Sequence, residues 1–174
     1  MTERADVLNN QAILLAKDGQ YNDAIACLRR AIHIDRTNYL VWFNLGITYR
    51  DSGNMMEALA AFRNAFRISP QREDVVETLS IHLLKMHMAD EAFQVCQDGL
   101  DFNPTSEKLW NVMGVLNFNM DDFSSAAECF EMAVTINPYS FDALYNLRDT
   151  YLELNNVKAA GILEGRIREL EGTK

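Results

Sequence analysis

The sequence predicts an all-α fold of five tandem helical hairpins. Three observations predict it: an internal period of 34 residues, apolar residues at helical spacing inside each period, and only three prolines in 174 residues. Ala24, Ala58, Ala92, Ala126 and Ala160 follow one another at that period, as do Pro70, Pro104 and Pro138. A column of small residues reads Ala12, Gly46, Ser80 and Gly114, and another reads Ala31, Ala65, Gly99 and Ala133. Agreement of independent columns on one period marks a stacked-repeat architecture. The spacing divides the chain into units 5–38, 39–72, 73–106, 107–140 and 141–174, taken as one domain over 1–174.

Each unit reads as two helices. In the second, Trp42, Leu45 and Tyr49, then Phe62 and Phe66, recur on a helical face. Asp51-Ser52-Gly53-Asn54 breaks that pattern, and Ser69-Pro70 closes the unit. Equivalent breaks fall at Lys17-Asp18-Gly19-Gln20, His87-Met88, Asn119-Met120-Asp121-Asp122 and Leu154-Asn155-Asn156. Asp121 and Asp122 suit the start of the next helix, where the helix dipole favours negative charge. A small residue on the first helix (Gly46) facing one on the second (Ala58) lets the two backbones approach. One hairpin cannot bury its large residues alone, so neighbouring hairpins must cover them.

These columns carry a family resemblance. Trp42, Leu45, Gly46, Tyr49, Ala58, Phe62, Ala65 and Pro70 resemble the pattern of tetratricopeptide repeat (TPR) proteins. Trp110, Met113, Gly114, Ala126, Phe130, Ala133 and Pro138 repeat it in unit four. The resemblance implies a right-handed α-solenoid of five TPR hairpins. Departures predict where the units differ. Arg36 replaces the closing proline of unit one. Unit three carries Ser80, Cys96, Gly99 and His87 at family positions, and is expected to be the loosest internal hairpin. Unit five has Arg148 at the small position and Glu164 at the aromatic one, so 157–170 reads as a C-terminal cap with Arg166, Arg168 and Glu169 facing water.

The resemblance also implies that first helices line a concave groove for a peptide, a helix or a small partner. Family positions place there Asn10, Ile13 and Lys17, with Asp6 and Asn9, from unit one. Unit two contributes Leu40, Phe43, Asn44, Ile47 and Arg50, and unit three Asp74, Glu77, Thr78, Ile81 and Lys85. Unit four contributes Lys108, Asn111, Val112, Val115 and Asn119, and unit five Asp142, Tyr145, Asn146, Asp149 and Glu153. Two readings of the asparagine column Asn10, Asn44 and Asn146 stay open. The amides could pair both backbone groups of an extended peptide, as in the asparagine ladder of some TPR proteins. Alternatively they pack the hairpins. In the ladder reading, replacing Asn10 and Asn44 by alanine leaves thermal stability nearly unchanged. Phe43, Ile47, Ile81, Val112, Val115 and Phe118 would form an exposed apolar stripe, the usual mark of an interaction site, unless some turn inward.

Composition excludes other classes. A formal net charge of −9 with pI near 4.8 disfavours nucleic acid and anionic membrane surfaces. No segment is long and apolar enough to suggest membrane insertion. Cys27, Cys96 and Cys129 are an odd, widely spaced set, which points to a reducing compartment and by default the cytoplasm. Each cysteine reads as a small buried apolar residue. His33, His82 and His87 do not converge with other ligands, so no metal is expected, and no phosphate loop suggests a cofactor. Chaperone-binding TPR proteins clamp a terminal carboxylate with lysine, asparagine and arginine. The matching columns here hold Asn9, Ile13, Asn44, Asp74 and Thr78, and Asp74 has the wrong sign. The sequence therefore reads as a non-enzymatic scaffold or adaptor for a protein or peptide. The alternatives are a homo-oligomer joined through terminal hairpins, using Ile162, Leu163, Ile167 and Leu170, or a dedicated secretion-type chaperone.

Overall fold

A computed structural model of the chain describes residues 4–172. Those residues form ten α-helices and no strand, an all-α solenoid of helical hairpins. The helices are α1 (Ala5–Lys17), α2 (Tyr21–Ile34), α3 (Tyr39–Asp51), α4 (Met55–Ile68), α5 (Glu73–Lys85), α6 (Ala89–Phe102), α7 (Glu107–Asn119), α8 (Phe123–Ile136), α9 (Phe141–Glu153) and α10 (Val157–Gly172). Odd-numbered helices open each repeat and even-numbered helices close it. The chain forms two compact units, Met1–His82 and Leu83–Lys174. Their boundary falls inside α5, in the repeat that departs most from the sequence pattern.

One backbone device makes every hairpin turn. Gly19, Gly53, His87, Asp121 and Asn155, one per repeat at the same column, have φ between 57° and 83°. The next residue's N–H returns to the helix three residues before the cap, as Gln20 does to the Leu15 carbonyl (2.8 Å) and Asn156 to that of Tyr151 (2.8 Å). This is a Schellman ending. Glycine takes its left-handed position without strain, and Asp and Asn tolerate it. His87 has neither advantage. Starts are capped more variably. Ser106, Ser140 and Asp122 accept from the backbone of Leu109, Ala143 and Ser125. Asp122 thus begins the following helix as its sequence suggests, while Asp121 takes the left-handed turn.

In the first unit, α1–α2 and α3–α4 pack as hairpins and α3 lies on both α1 and α2. Gly46 is buried under the Phe62 ring, which a β-carbon there would strike. Trp42 donates from its indole to the Arg36 carbonyl (3.0 Å), so this exit is tied without the missing proline. In the second unit, α7–α8 and α9–α10 form hairpins, α6 lies on α7, and α9 on α7 and α8. Gly114 sits under Phe130 as Gly46 does under Phe62, and Trp110 donates to the Pro104 carbonyl (2.8 Å). The α8–α10 core joins Ala126, Phe130, Leu144, Leu147, Leu163 and Ile167.

Repeat five solves the same columns differently. Arg148 and Glu164 form an ion pair (3.0 Å), and Arg168 adds a second (3.2 Å). One of the three α10 residues expected to face water does not. Arg166 is half-buried and donates to the Pro138 carbonyl (2.6 Å), whereas Arg168 and Glu169 are exposed. Ser80, at the same column as the two buried glycines, has the one buried side-chain oxygen without a hydrogen-bond partner among the described residues.

Candidate functional site

The residues expected to line a binding face fall on odd-numbered helices, and each compact unit presents its own set. In the first unit Asn10, Ile13 and Lys17 are exposed on α1. Phe43, Asn44, Ile47 and Arg50 are half-buried on α3. On α5, Thr78 is half-buried and Ile81 exposed. In the second unit Lys85 and Lys108 are exposed, and Asn111, Val115, Tyr145 and Asn146 are half-buried. Val112 does not belong with them. It is only 5% exposed and forms part of the core. Its column lies at the seam between neighbouring first helices, where an apolar side chain is drawn inward.

The asparagines are organised in pairs. The Asn44 side-chain amide donates to the Asn9 side-chain Oδ1 (2.8 Å), linking α3 to α1. The Asn146 amide donates to Asn111 (3.0 Å), linking α9 to α7. Both bridges join residues 35 apart, one column crossing to its neighbour. Asn9 is buried, so removing Asn44 would orphan a buried amide. The stability-neutral expectation for Asn44→Ala is therefore replaced by a measurable cost. Each bridging amide still has a second N–H and its carbonyl oxygen to offer. Asn10 is exposed and separate from the bridge.

Beside the second bridge lies a recess of about 240 Å³ lined by Val115, Phe118, Asn119, Phe130, Asn146 and Asp149. Its floor is apolar: Phe130 is buried and Phe118 stacks edge-on against Phe123 at 5.1 Å. Its rim carries two amides and a carboxylate. Asp149 accepts from Arg148 (2.6 Å), which holds the arginine's pKa above its ordinary value. Tyr145 flanks this face, stacked on Phe141 and lying under the Arg148 guanidinium at 4.8 Å. Its hydroxyl donates to Glu171 (2.8 Å), which raises its pKa. The charges foreseen along the face are thus partly internal. Arg50 pairs with its neighbour Asp51 (3.0 Å) as Arg148 does with Asp149, whereas Asp142 and Glu153 are exposed.

A second recess, about 290 Å³, lies in the first unit between α2, α3 and α4. Arg29, Trp42, Tyr49 and Glu57 are among its walls, and Arg29 donates to the Tyr49 hydroxyl (2.7 Å). None of the residues expected to bind touches it. Trp42 and Tyr49 read in the sequence as packing residues, and the pattern carries no signal that they also border a cleft.

Among the described residues no cluster of His, Cys, Asp or Glu could hold a metal, and no helix is long and apolar enough to cross a membrane. The three cysteines are buried and unpaired. Burial pushes the Cys96 thiol up to about 12. Leu163 and Ile167, expected at an oligomer contact, are instead buried in the α8–α10 core, with Leu170 packed against it. Of that set Ile162 alone is exposed.

Comparison with known proteins agrees with this architecture. A family model described as TPR repeat matches residues 14–53, and one described as Tetratricopeptide repeat matches 39–72 and 107–140. The chain is similar to the BBSome complex member BBS4 of Bos taurus, 21% identical over 89% of the chain and 36% of the relative. It is also 26% identical to the Drosophila melanogaster homologue over 81% of the chain and 29% of that protein. The chain therefore spans about a third of the length of these relatives. Among solved structures, MamA residues 41-end from Desulfovibrio magneticus RS-1 superpose with a TM-score of 0.84 at 17% identity, covering 100% of this chain and 98% of that one. YrrB, described as a TPR protein with an unusual peptide-binding site, gives 0.73 at 21% identity over 95% and 85%. With its repeating columns, its left-handed turn in every repeat and these matches, the chain belongs to the tetratricopeptide repeat family.

Proposed function

We propose that this chain is a binding scaffold that holds an extended peptide or a helix of another protein against its first helices. The TPR fold is a protein–protein interaction scaffold. The observation that carries the finer reading is the recess between α7, α8 and α9. An apolar floor under a rim of Asn119, Asn146 and Asp149 suits an apolar ligand side chain, while the free groups of the amides take its backbone. In the first unit Phe43, Ile47 and Ile81 offer the corresponding apolar contact beside the Asn44–Asn9 bridge. The peptide-binding description of YrrB supports the same use of the fold. Three free, buried cysteines accord with a reducing compartment. The five repeats are proposed to act as one binding domain. Limited proteolysis yielding two stable, separate halves would count against it.

The test compares proteins captured from the native cell by wild type and by a Val115→Glu/Asn119→Arg variant of matched melting temperature. Loss of a specific subset with the variant is the expected result. An identical set with both sinks the binding-face reading. Self-association through α10 is not favoured, because Leu163 and Ile167 are committed to the core.

A further inference from the structure

The recess between α2, α3 and α4 of the first unit carries a charge that the fold does not ask for. Its floor is apolar: Leu45, Tyr49 and Ala61 are buried, and Ile32 and Trp42 half-buried. The indole bond to the Arg36 carbonyl fixes Trp42 in place. A volume of about 290 Å³ is at the small end of ligand pockets and suits one large side chain rather than a cofactor. Its walls belong to two consecutive hairpins, both within the described residues, so it is not an open end of the array.

Two exposed arginines stand beside that floor. Arg29 donates twice to the Tyr49 hydroxyl, from Nε (3.1 Å) and Nη2 (2.7 Å), with its guanidinium 5.9 Å from the ring centroid. An arginine has further N–H groups to offer beyond those two. Arg67 is tied to the wall residue Asn64 (2.9 Å). Neither arginine meets a carboxylate among the described residues. The acid on the wall, Glu57, lies in the first turn of α4, where the helix dipole favours it.

Equivalent residues in the second unit show that neither the charge nor the opening is structural. Tyr151 is the counterpart of Tyr49 and Glu131 that of Arg29, and there the phenol donates to the carboxylate (2.6 Å). The same tether thus forms with either sign of charge. Asp101 stands in the column of Arg67, and α6 and α8 contain no Lys or Arg. The counterpart of Asn64 is Arg166, which reaches the Pro138 carbonyl (2.6 Å). That carbonyl corresponds to the one on Arg36 that Trp42 binds. In repeat five a long side chain of the protein itself spans the ground that Asn64 leaves open.

We propose that this recess is a second binding site, for an acidic segment of a partner protein. A large apolar side chain of the segment enters between Ile32, Trp42 and Tyr49, and carboxylates flanking it pair with Arg29 and Arg67. Arginine suits this role because its planar fork binds a carboxylate through parallel hydrogen bonds. A site working by apolar contact alone would gain nothing from two cations, and a basic segment would meet them with like charge. The site lies on other helices than the recess at Val115 and Asn119, so each of the two readings can fail alone.

The test is calorimetric titration of the full chain with a short blocked peptide holding one phenylalanine between pairs of aspartates. Saturable binding that weakens as salt rises is the expected result. Arg29→Glu copies the Glu131–Tyr151 pair, so it should keep the wild-type melting curve while affinity falls about tenfold. Ala60→Phe, at an exposed position on the wall, should abolish binding by filling the recess. Replacing the peptide's phenylalanine by alanine, or its aspartates by lysines, should abolish it too. Asn119→Arg should leave it unchanged. Absence of saturable binding, equal binding of the lysine peptide, or wild-type affinity in Arg29→Glu overturns the proposal. So does undiminished binding by Ala60→Phe, since the peptide would then sit elsewhere.

Discussion

Repeats two and five place opposite chemistry at the same two columns. In repeat two Gly46 lies under the Phe62 ring, both buried. In repeat five Arg148 and Glu164 meet as an ion pair at the surface. The first arrangement works only with neighbours on both sides, because an aromatic ring gains its stabilisation by leaving water. The second works only where one side stays wet, because a charged pair gains little when it must be desolvated. A pair of columns thus records whether the meeting point of two helices is sealed from water or left wet.

The largest test of this contrast is Phe62→Ala. Removing a fully buried ring from the interior pair should cost about 4 kcal/mol, read as a lowered urea midpoint. A loss below about 1 kcal/mol would break the comparison. Gly46→Ala should cost about 2 kcal/mol despite its better helix propensity, because the new methyl enters the ring of Phe62. Asn44→Ala should cost about 1.5 kcal/mol, since buried Asn9 loses its partner. A double-mutant cycle with Asn9→Ala should show the two as coupled.

Repeat three sharpens the contrast from the other direction, because its departures are repairable. His87→Gly relieves a left-handed residue, and Ser80→Ala removes an unpaired buried hydroxyl. Each should stabilise by about 1 kcal/mol in thermal melts. The smallest effect belongs to the Arg148–Glu164 pair. The hydrogen bond from Arg148 holds the Glu164 carboxyl below its ordinary value of 4.5. A depressed folded value means that the contribution is present above the unfolded value and lost as pH falls through the folded one. Glu164→Gln should therefore lower stability slightly at neutral pH, leave it unchanged once the carboxyl is protonated, and so flatten the acid limb of the profile.

Much of this was legible before any coordinates. The period exposes every column, so the turn at Gly53 and the burial of the cysteines follow from comparing equivalent residues, whereas Gly46, read as facing Ala58, lies under the Phe62 ring. The asparagine bridges do not, because they cross from one column to its neighbour in the next repeat. Asn9 beside Asn44 is 35 residues away, and a search for identical positions passes over it. Val112 shows a second limit. A family position names which way a helix face points, but the depth of a side chain depends on whether its own chemistry prefers the seam or the surface. The recess at Trp42 and Tyr49 is a void between correctly assigned packing residues, and voids leave no trace in a pattern of residue types.

The buried cysteines have a use beyond packing. With burial holding its thiol well above the ordinary range, folded Cys96 is almost wholly protonated at neutral pH, and its sulfur is sealed from solvent. Alkylation must then wait for the helix around it to open. The labelling rates of Cys96 in α6, Cys129 in α8 and Cys27 in α2 therefore act as three clocks, each timing the opening of its own repeat. Read side by side, they measure how the cooperativity of the array is divided along the chain, without a single substitution.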